Sequence, residues 1–254
     1  MAHSLSPVFQ NAALEAAGIP LRYEALPVPA SALASVVARL IGEGAAGNVT
    51  VPHKRAFLRI CSTVTPLAER VGAVNTFWTS DGKLFGDNTD VGGFDAAARA
   101  LLNGAVEGIA IALIGAGGAA AAVLGAAESW PNCTVNIFSR RRPAAEELAN
   151  RFGDFTRVET SAMNAVRGTS IVVNATPVGM TDDAMPFQVE ALEPGSVVMD
   201  LVYRKGGTAL ARAARDAGFT AADGGEMLLQ QGALSFEKWF GFAPNRDVMR
   251  AALR

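Results

Sequence analysis

Histidine and cysteine are nearly missing from this 254-residue sequence, which holds two of each: His3, His53, Cys61 and Cys133. A zinc centre or a His-based catalytic triad would have almost no ligands or bases to draw on. No G-x-S-x-G nucleophile motif occurs either. Two cysteines need not pair, and a reducing cytoplasm is the expected location. Charge is also scarce: 22 basic and 24 acidic residues leave a net charge of −2, with no general attraction for nucleic acid or an anionic membrane. An anionic ligand would need a local site. No apolar run approaches the ~18 residues of a membrane span, and the opening MAHSLSP lacks the basic and apolar regions of a secretory signal. Aromatics are only 7% of the chain, while half of it is hydrophobic and 26 residues are glycine. That balance gives ample chain to bury a core, as one large domain or two modest ones.

Hydrophobic patterning changes character near residue 90. Before it, Ser6 can cap a helix with Pro7 at its first position and Gly18 at its close. Leu21–Val28 reads as a strand and Ser31–Ile41 as a helix, and Asn48–Val51 is short and extended. Pro52 then opens a helical stretch through Cys61, and Ala73–Trp78 and Lys83–Gly86 read as strands joined by Ser80-Asp81-Gly82. After it, helix at Gly93–Leu102 leads into the continuous apolar strand Gly108–Gly115, of the buried parallel type. Helix and strand then alternate: helices at 117–128, 143–152 and 208–217, strands at 134–138, 170–174 and 196–201. Helices at Gly224–Phe240 and Asn245–Leu253 end the chain. The expectation is an α/β protein of two lobes, the second a doubly wound parallel sheet. The first comprises residues 1–91 plus about 226–254 and the second 92–225, the C-terminal helices packing back on the first lobe.

Gly115-Ala116-Gly117-Gly118-Ala119 lies between that apolar strand and an Ala-rich helix, with Ala120 at the third fingerprint position. Gly115 permits a tight turn, Gly117 lets backbone approach a pyrophosphate, and the helix N-terminus favours its charge. The next strand ends in Ser139-Arg140-Arg141-Arg142, where an acid would favour NAD. Guanidinium groups there suit a 2′-phosphate, so NADP is the expected cofactor. In the first lobe, small polar groups cluster at Ser4-Leu5-Ser6, Asn48–Lys54, Asn75-Thr76 and Gly86–Asp90. Such a set would bind a polyhydroxylated small molecule through directional hydrogen bonds. Ser4 and Ser6, ahead of a helix, could receive a carboxylate.

These motifs, together with Gly72-Ala-Val-Asn75-Thr76, Asn174-Ala-Thr176-Pro-Val-Gly179-Met180 and Asp223-Gly224 with Met227 and Gln231, resemble the shikimate dehydrogenase family in order and spacing from residue 3 to about 240. The resemblance implies an N-terminal lobe that binds substrate and a Rossmann lobe that binds NADP(H). It implies reversible reduction of 3-dehydroshikimate to shikimate, with a small-molecule partner; a monomer or homodimer is the expected working form, which the sequence does not choose between. Residue by residue, it makes Lys54 and Asp90 the catalytic pair. Ser4 and Ser6 would take the substrate carboxylate with Tyr203, while Thr50, Asn75, Asp90 and Gln231 would bond ring hydroxyls. Gly115, Ala116, Gly117, Gly118 and Ala119 would hold the pyrophosphate, and Ser139, Arg140 and Arg141 the 2′-phosphate end. Thr176, Leu201 and Gly224 would line the nicotinamide side. The chemistry agrees, because a lysine beside a carbonyl oxygen can stabilise developing charge and deliver a proton. No metal is implied, and His53 reads as a surface residue at a helix start with no catalytic role.

Two departures stand out. The family's Asn-Arg-Thr appears here as Ser139-Arg140-Arg141. Family members also carry a strand of about ten residues ahead of the serine motif, whereas this chain begins Met1-Ala2-His3. Either the natural chain starts upstream of Met1, or Ser4 and Ser6 are poorly held and substrate binds weakly. A quinate/shikimate or aminoshikimate-type dehydrogenase using NAD or NADP shares nearly all these motifs. A nucleotide-binding paralogue without turnover is an alternative of another class, against which intact Lys54 and Asp90 argue.

Overall fold

The computed structural model describes residues 4–253, so His3 and the expectation about what precedes the serine motif lie outside the described residues. The elements run α1 (Ser6–Ala16), α2 (Leu33–Gly42), β1 (Gly47–Asn48), α3 (Lys54–Ile60), β2 (Thr63–Val64), α4 (Pro66–Val71), β3 (Thr76–Ser80), β4 (Lys83–Asp87) and α5 (Asp90–Leu101). They continue β5 (Ala110–Ile114), α6 (Gly118–Ala127), β6 (Thr134–Phe138), α7 (Arg142–Phe152), β7 (Thr156–Val158), α8 (Ala162–Val166) and β8 (Ile171–Asn174). The last are β9 (Val197–Asp200), α9 (Ala209–Asp216), β10 (Thr220–Ala222), α10 (Gly225–Phe240) and α11 (Arg246–Ala252). They form two units, one reaching to Gly93 and resuming at Leu228, the other spanning Phe94–Met227.

The first unit holds a four-stranded sheet in the order β1-β3-β4-β2, antiparallel except for the β2/β4 pair. Ser80 pairs with Lys83 across Asp81 and Gly82, both at positive φ (50° and 69°), the two-residue turn whose twist matches a hairpin. Leu33, Val37, Phe57, Val74, Phe77 and Leu84 pack one face of this unit. Phe9, Ala13, Leu229, Phe236 and Met249 join α1, α10 and α11 in a second core, so the C-terminal helices do pack on the first unit.

Several local expectations need correction. Leu5, not Ser6, occupies the N-cap of α1, and Ser6 is its first helical residue. Its N–H is taken by the Ser4 hydroxyl at 3.3 Å. Residues 21–28 form no strand. Asn11 instead bonds both the N–H and the carbonyl of Tyr23, at 2.8 and 2.9 Å, occupying the groups a ladder would have used. The extended run at Asn48–Val51 is a strand only at Gly47–Asn48, and the helix foreseen from Pro52 starts at Lys54. Thr76, not Ala73, begins β3, because the Val74 N–H is drawn off to the Lys54 carbonyl. His53 is buried rather than at the surface, with Nε2 2.7 Å from the Val28 carbonyl oxygen.

In the second unit all six strands are parallel, in the order β10-β9-β8-β5-β6-β7. The sheet therefore grows outward in both directions from β5, and the crevice at such a reversal is where α/β sheets take ligands. Ile114 of β5 lies level with Phe138 on one side and Asn174 on the other, and Asn174 with Asp200. Ala112, Ile114, Val172, Val198 and Leu210 are fully or almost fully buried, as a sheet covered on both faces requires.

Candidate active site

In the first unit, Lys54 opens α3 and Asp90 opens α5 directly after β4. The Val74 N–H bonds the Lys54 carbonyl at 3.1 Å, and the Asn88 carboxamide oxygen accepts from the Asp90 N–H at 3.1 Å, so both backbones are pinned. Lys54 Nζ lies 2.6 Å from Asp90 Oδ2, with only 9% of the Asp90 side chain exposed. Asp90 Oδ1 accepts from Asn75 Nδ2 at 2.8 Å. Asn75 Oδ1 in turn accepts from the Thr89 N–H at 2.6 Å, which sets the amide's orientation. Gln231 of α10 brings Oε1 to 3.3 Å from the same Asn75 nitrogen and donates its Nε2 to the Leu228 carbonyl. That approach depends on Gly93, where a Cβ would stand 2.6 Å from Gln231 Cβ. Any larger residue there would push α10 away from α5.

The structure thus unites Lys54, Asn75, Asp90 and Gln231. Thr50 is exposed just before the turn that leads into α3. Ser4 and Ser6 sit together at the start of α1, and among the described residues no hydrogen bond joins them to that cluster. Tyr203 lies half-buried in the loop after β9, in the second unit. The cluster offers a chemical pairing: a charged ammonium held beside a carboxylate, able to stabilise an oxyanion and to give it a proton.

In the second unit the glycine loop leaves the end of β5. Gly115 has φ +124°, and a Cβ would meet the Ala175 carbonyl oxygen at 2.8 Å, so only glycine fits. Beside it, a Cβ on Gly117 or Gly118 would meet nothing within 4 Å. Ala116 is buried, and Ala119 follows Gly118 in the first turn of α6, whose N-cap Gly117 supplies no side-chain cap. Free N–H groups and open space at a helix start fit a diphosphate. At the end of β6 the Ser139 hydroxyl accepts from the Arg141 N–H at 3.2 Å. Arg142 is spent on Glu146 at 2.8 Å, while Arg140 and Arg141 have no ion pair among the described residues. Both remain available to a 2′-phosphate.

Thr176 is fixed through Asn174, whose Oδ1 accepts from the Thr176 hydroxyl (2.7 Å) and N–H (3.0 Å). The Asn174 amide donates to Asp200 Oδ1 at 2.8 Å, and the Leu201 N–H returns to the Asn174 carbonyl. Gly224 packs so tightly on Leu201 that a Cβ would stand 2.3 Å from its carbonyl oxygen. Burial pushes the Asp200 carboxyl above its usual range, against the Thr208 hydroxyl, the Val202 N–H and the Asn174 amide, with Asp223 adding to the rise. Its Oδ2 is buried with no hydrogen-bond partner among the described residues. Asp200 carries no sequence signal of its own, being the last residue of an apolar strand.

Among the described residues no group of three His, Cys, Asp or Glu side chains could hold a metal ion, and no helix is long and apolar enough to cross a membrane. The family model of the shikimate dehydrogenase substrate binding domain matches residues 1–77, and that of the shikimate 5'-dehydrogenase C-terminal domain residues 224–254. The shikimate dehydrogenase (NADP(+)) of Anaeromyxobacter sp. is 42% identical over 99% of this chain and 91% of its own length. A crystal structure of the Aquifex aeolicus shikimate dehydrogenase superposes with a TM-score of 0.94 at 32% identity, covering 100% of this chain and 94% of that one. The Thermus thermophilus shikimate 5-dehydrogenase, solved with NADP(H) and shikimate, gives 0.89 at 37% identity over 99% of this chain and 94% of its own.

Proposed function

This chain belongs to the shikimate dehydrogenase family, and on that premise we propose that it catalyses the reversible NADP(H)-dependent reduction of 3-dehydroshikimate to shikimate in aromatic amino-acid biosynthesis. The observation that carries the reading is the Lys54–Asp90 pair, 2.6 Å apart and anchored by Asn75. Reduced nicotinamide supplies a hydride to the ketone carbon, and negative charge grows on the oxygen. Lys54 stabilises that charge and donates the proton. In the reverse direction it takes the proton back. Asp90 keeps the ammonium in place and accepts from a ring hydroxyl, with Asn75 and Gln231 bonding the same ring.

Ser4 and Ser6 would receive the carboxylate, with Tyr203, and Thr50 a further hydroxyl. NADP would lie with its diphosphate on Gly115–Ala119 and its 2′-phosphate near Ser139, Arg140 and Arg141. Thr176, Leu201 and Gly224 would line the nicotinamide. In this division residues 1–91 with 226–254 serve the substrate and 92–225 the cofactor. A biosynthetic reduction drawing on NADPH belongs in the cytoplasm, and a monomer or homodimer suffices for it.

The test is absorbance at about 340 nm, the reduced-nicotinamide band, with shikimate and NADP⁺. Reduction of NADP⁺ is expected with shikimate and much less with quinate. Turnover of quinate alone would overturn the substrate assignment, and turnover of neither the enzymatic one.

A further inference from the structure

Behind the Lys54–Asp90 pair lies a chain of hydrogen bonds, part-buried at Tyr23 and Asn48 and buried from Ser235 inward, that the reaction does not use directly. Tyr23, stacked on Trp239 at 6.0 Å, brings its hydroxyl to 3.0 Å from Asn48 Oδ1. Asn48 Nδ2 donates to the Ser235 hydroxyl at 2.8 Å and to the Asn75 carbonyl at 3.2 Å. Ser235, fully buried one turn beyond Gln231 on α10, donates to the Gln231 carbonyl at 2.9 Å. Its oxygen also lies 3.0 Å from the Thr89 hydroxyl, and Thr89 Oγ1 lies 3.0 Å from Asn75 Nδ2.

Counting protons gives this chain a direction. Burial pushes the Tyr23 hydroxyl from 10.0 up to about 12, so it stays a donor and turns the Asn48 oxygen toward itself. Asn48 must then offer its N–H groups to Ser235. With its own proton on the Gln231 carbonyl, Ser235 is left to accept, from Asn48 and from the Thr89 hydroxyl at 3.0 Å, the other acceptor in that hydroxyl's reach being Asn75 Oδ1 at 3.2 Å. Thr89 Oγ1 can therefore accept from Asn75 Nδ2, whose other proton goes to Asp90 Oδ1. Reversing the Asn75 amide would set an oxygen against the Asp90 carboxylate and an NH2 against the Thr89 N–H. Buried polar groups left unpaired in that way are costly.

We propose that Ser235 and Asn48 are positioning residues for the reaction, acting through Thr89 and Asn75 to hold Asp90 Oδ1 so that Oδ2 faces Lys54. The proposal rests on the reading of the site given above. Among the described residues neither has a hydrogen bond to Lys54 or Asp90, so each reaches the pair through Asn75, Asn48 directly and Ser235 by way of Thr89, while the Ser235 bond to Gln231 ends on that residue's backbone carbonyl.

Ser235→Ala removes the relay's central acceptor, and Asn48→Asp replaces its donor with an acceptor of the same shape. Each is expected to lower kcat with shikimate about tenfold, with KM for NADP⁺ within about twofold. In an Asp90→Asn background the same Ser235→Ala change should alter kcat less than about twofold, since the step it supports is already lost. An equal tenfold loss in both backgrounds, or a loss below twofold in the native one, overturns the proposal. Hydrogen exchange at the Asn75 side-chain amide, followed by ¹⁵N-resolved NMR, reads the relay without turnover. It should quicken at least tenfold in either variant, and unchanged exchange would refute the relay even in a chain that fails to oxidise shikimate. Absence of turnover in the unmutated chain would refute the reaction and leave the exchange result to decide the relay.

Discussion

In the first unit, Asp90 is buried and receives Lys54 on one oxygen and Asn75 on the other, at 2.6 and 2.8 Å. In the second, Gly117 and Gly118 face open space, and Arg140 and Arg141 are exposed at the end of a strand. The contrast follows from what each region must do. A group that moves a proton gains from being fixed before the substrate arrives, because reorganisation during the reaction would raise the barrier. A group that grips a large, charged cofactor needs room and unpaired donors, and backbone N–H groups at a helix start supply both. On the function proposed above, the first unit would work through specific side chains, and the second mostly through backbone and the two arginines without an ion pair among the described residues.

Substitutions can sharpen that contrast. Lys54→Ala should lower kcat about 100- to 10,000-fold, the range for a lost general acid, with KM for shikimate little changed; steady-state rates at about 340 nm check it. Near-normal turnover would break the contrast at its first side. Arg140→Glu should weaken NADP⁺ about 10- to 100-fold while leaving NAD⁺ nearly unaffected, because a paired charge is lost and a like charge introduced. Equal losses for both cofactors would show that Arg140 does not meet the phosphate. Gly117→Val should leave the thermal midpoint within a few degrees, since a Cβ there meets nothing within 4 Å. It should still weaken NADP⁺ about tenfold by blocking the loop. A large loss of stability would mean that the glycine serves the fold.

The smallest effect concerns pH. Burial pushes the Cys61 and Cys133 thiols from 9.0 to about 11 and the Tyr23 hydroxyl from 10.0 to about 12. These groups keep their protons in the folded chain where the unfolded chain has lost them. Stability should therefore be flat with respect to them below pH 9 and fall as pH rises from 9 toward 12. Urea unfolding across that range checks the sign, and Tyr23→Phe should lessen the fall above pH 10.

How far the sequence announced all this differs between the same two regions. The second unit's strands and glycine loop follow from continuous apolar runs such as Ala110–Ile114, whose burial on both faces leaves a plain signal. The short β7 and β10 carry no such run and were not foreseen. In the first unit, Leu21–Val28 has strand-like composition, yet Asn11 of α1 captures its backbone at Tyr23. Composition cannot report a competing side chain of that kind. The motifs single out Lys54, Asn75, Asp90 and Gln231, which the structure brings into one cluster. They do not single out Ser235, because a small polar residue on a helix gains its meaning only from Asn48 and Thr89 across the packed interface.

The division between the two regions is tested most directly by titrating NADP⁺ calorimetrically into the Lys54→Ala protein. Lys54 belongs to the proton-transferring side alone in this account, so the Kd should lie within about twofold of the unmutated value. A Kd weakened as much as by Arg140→Glu would contradict it.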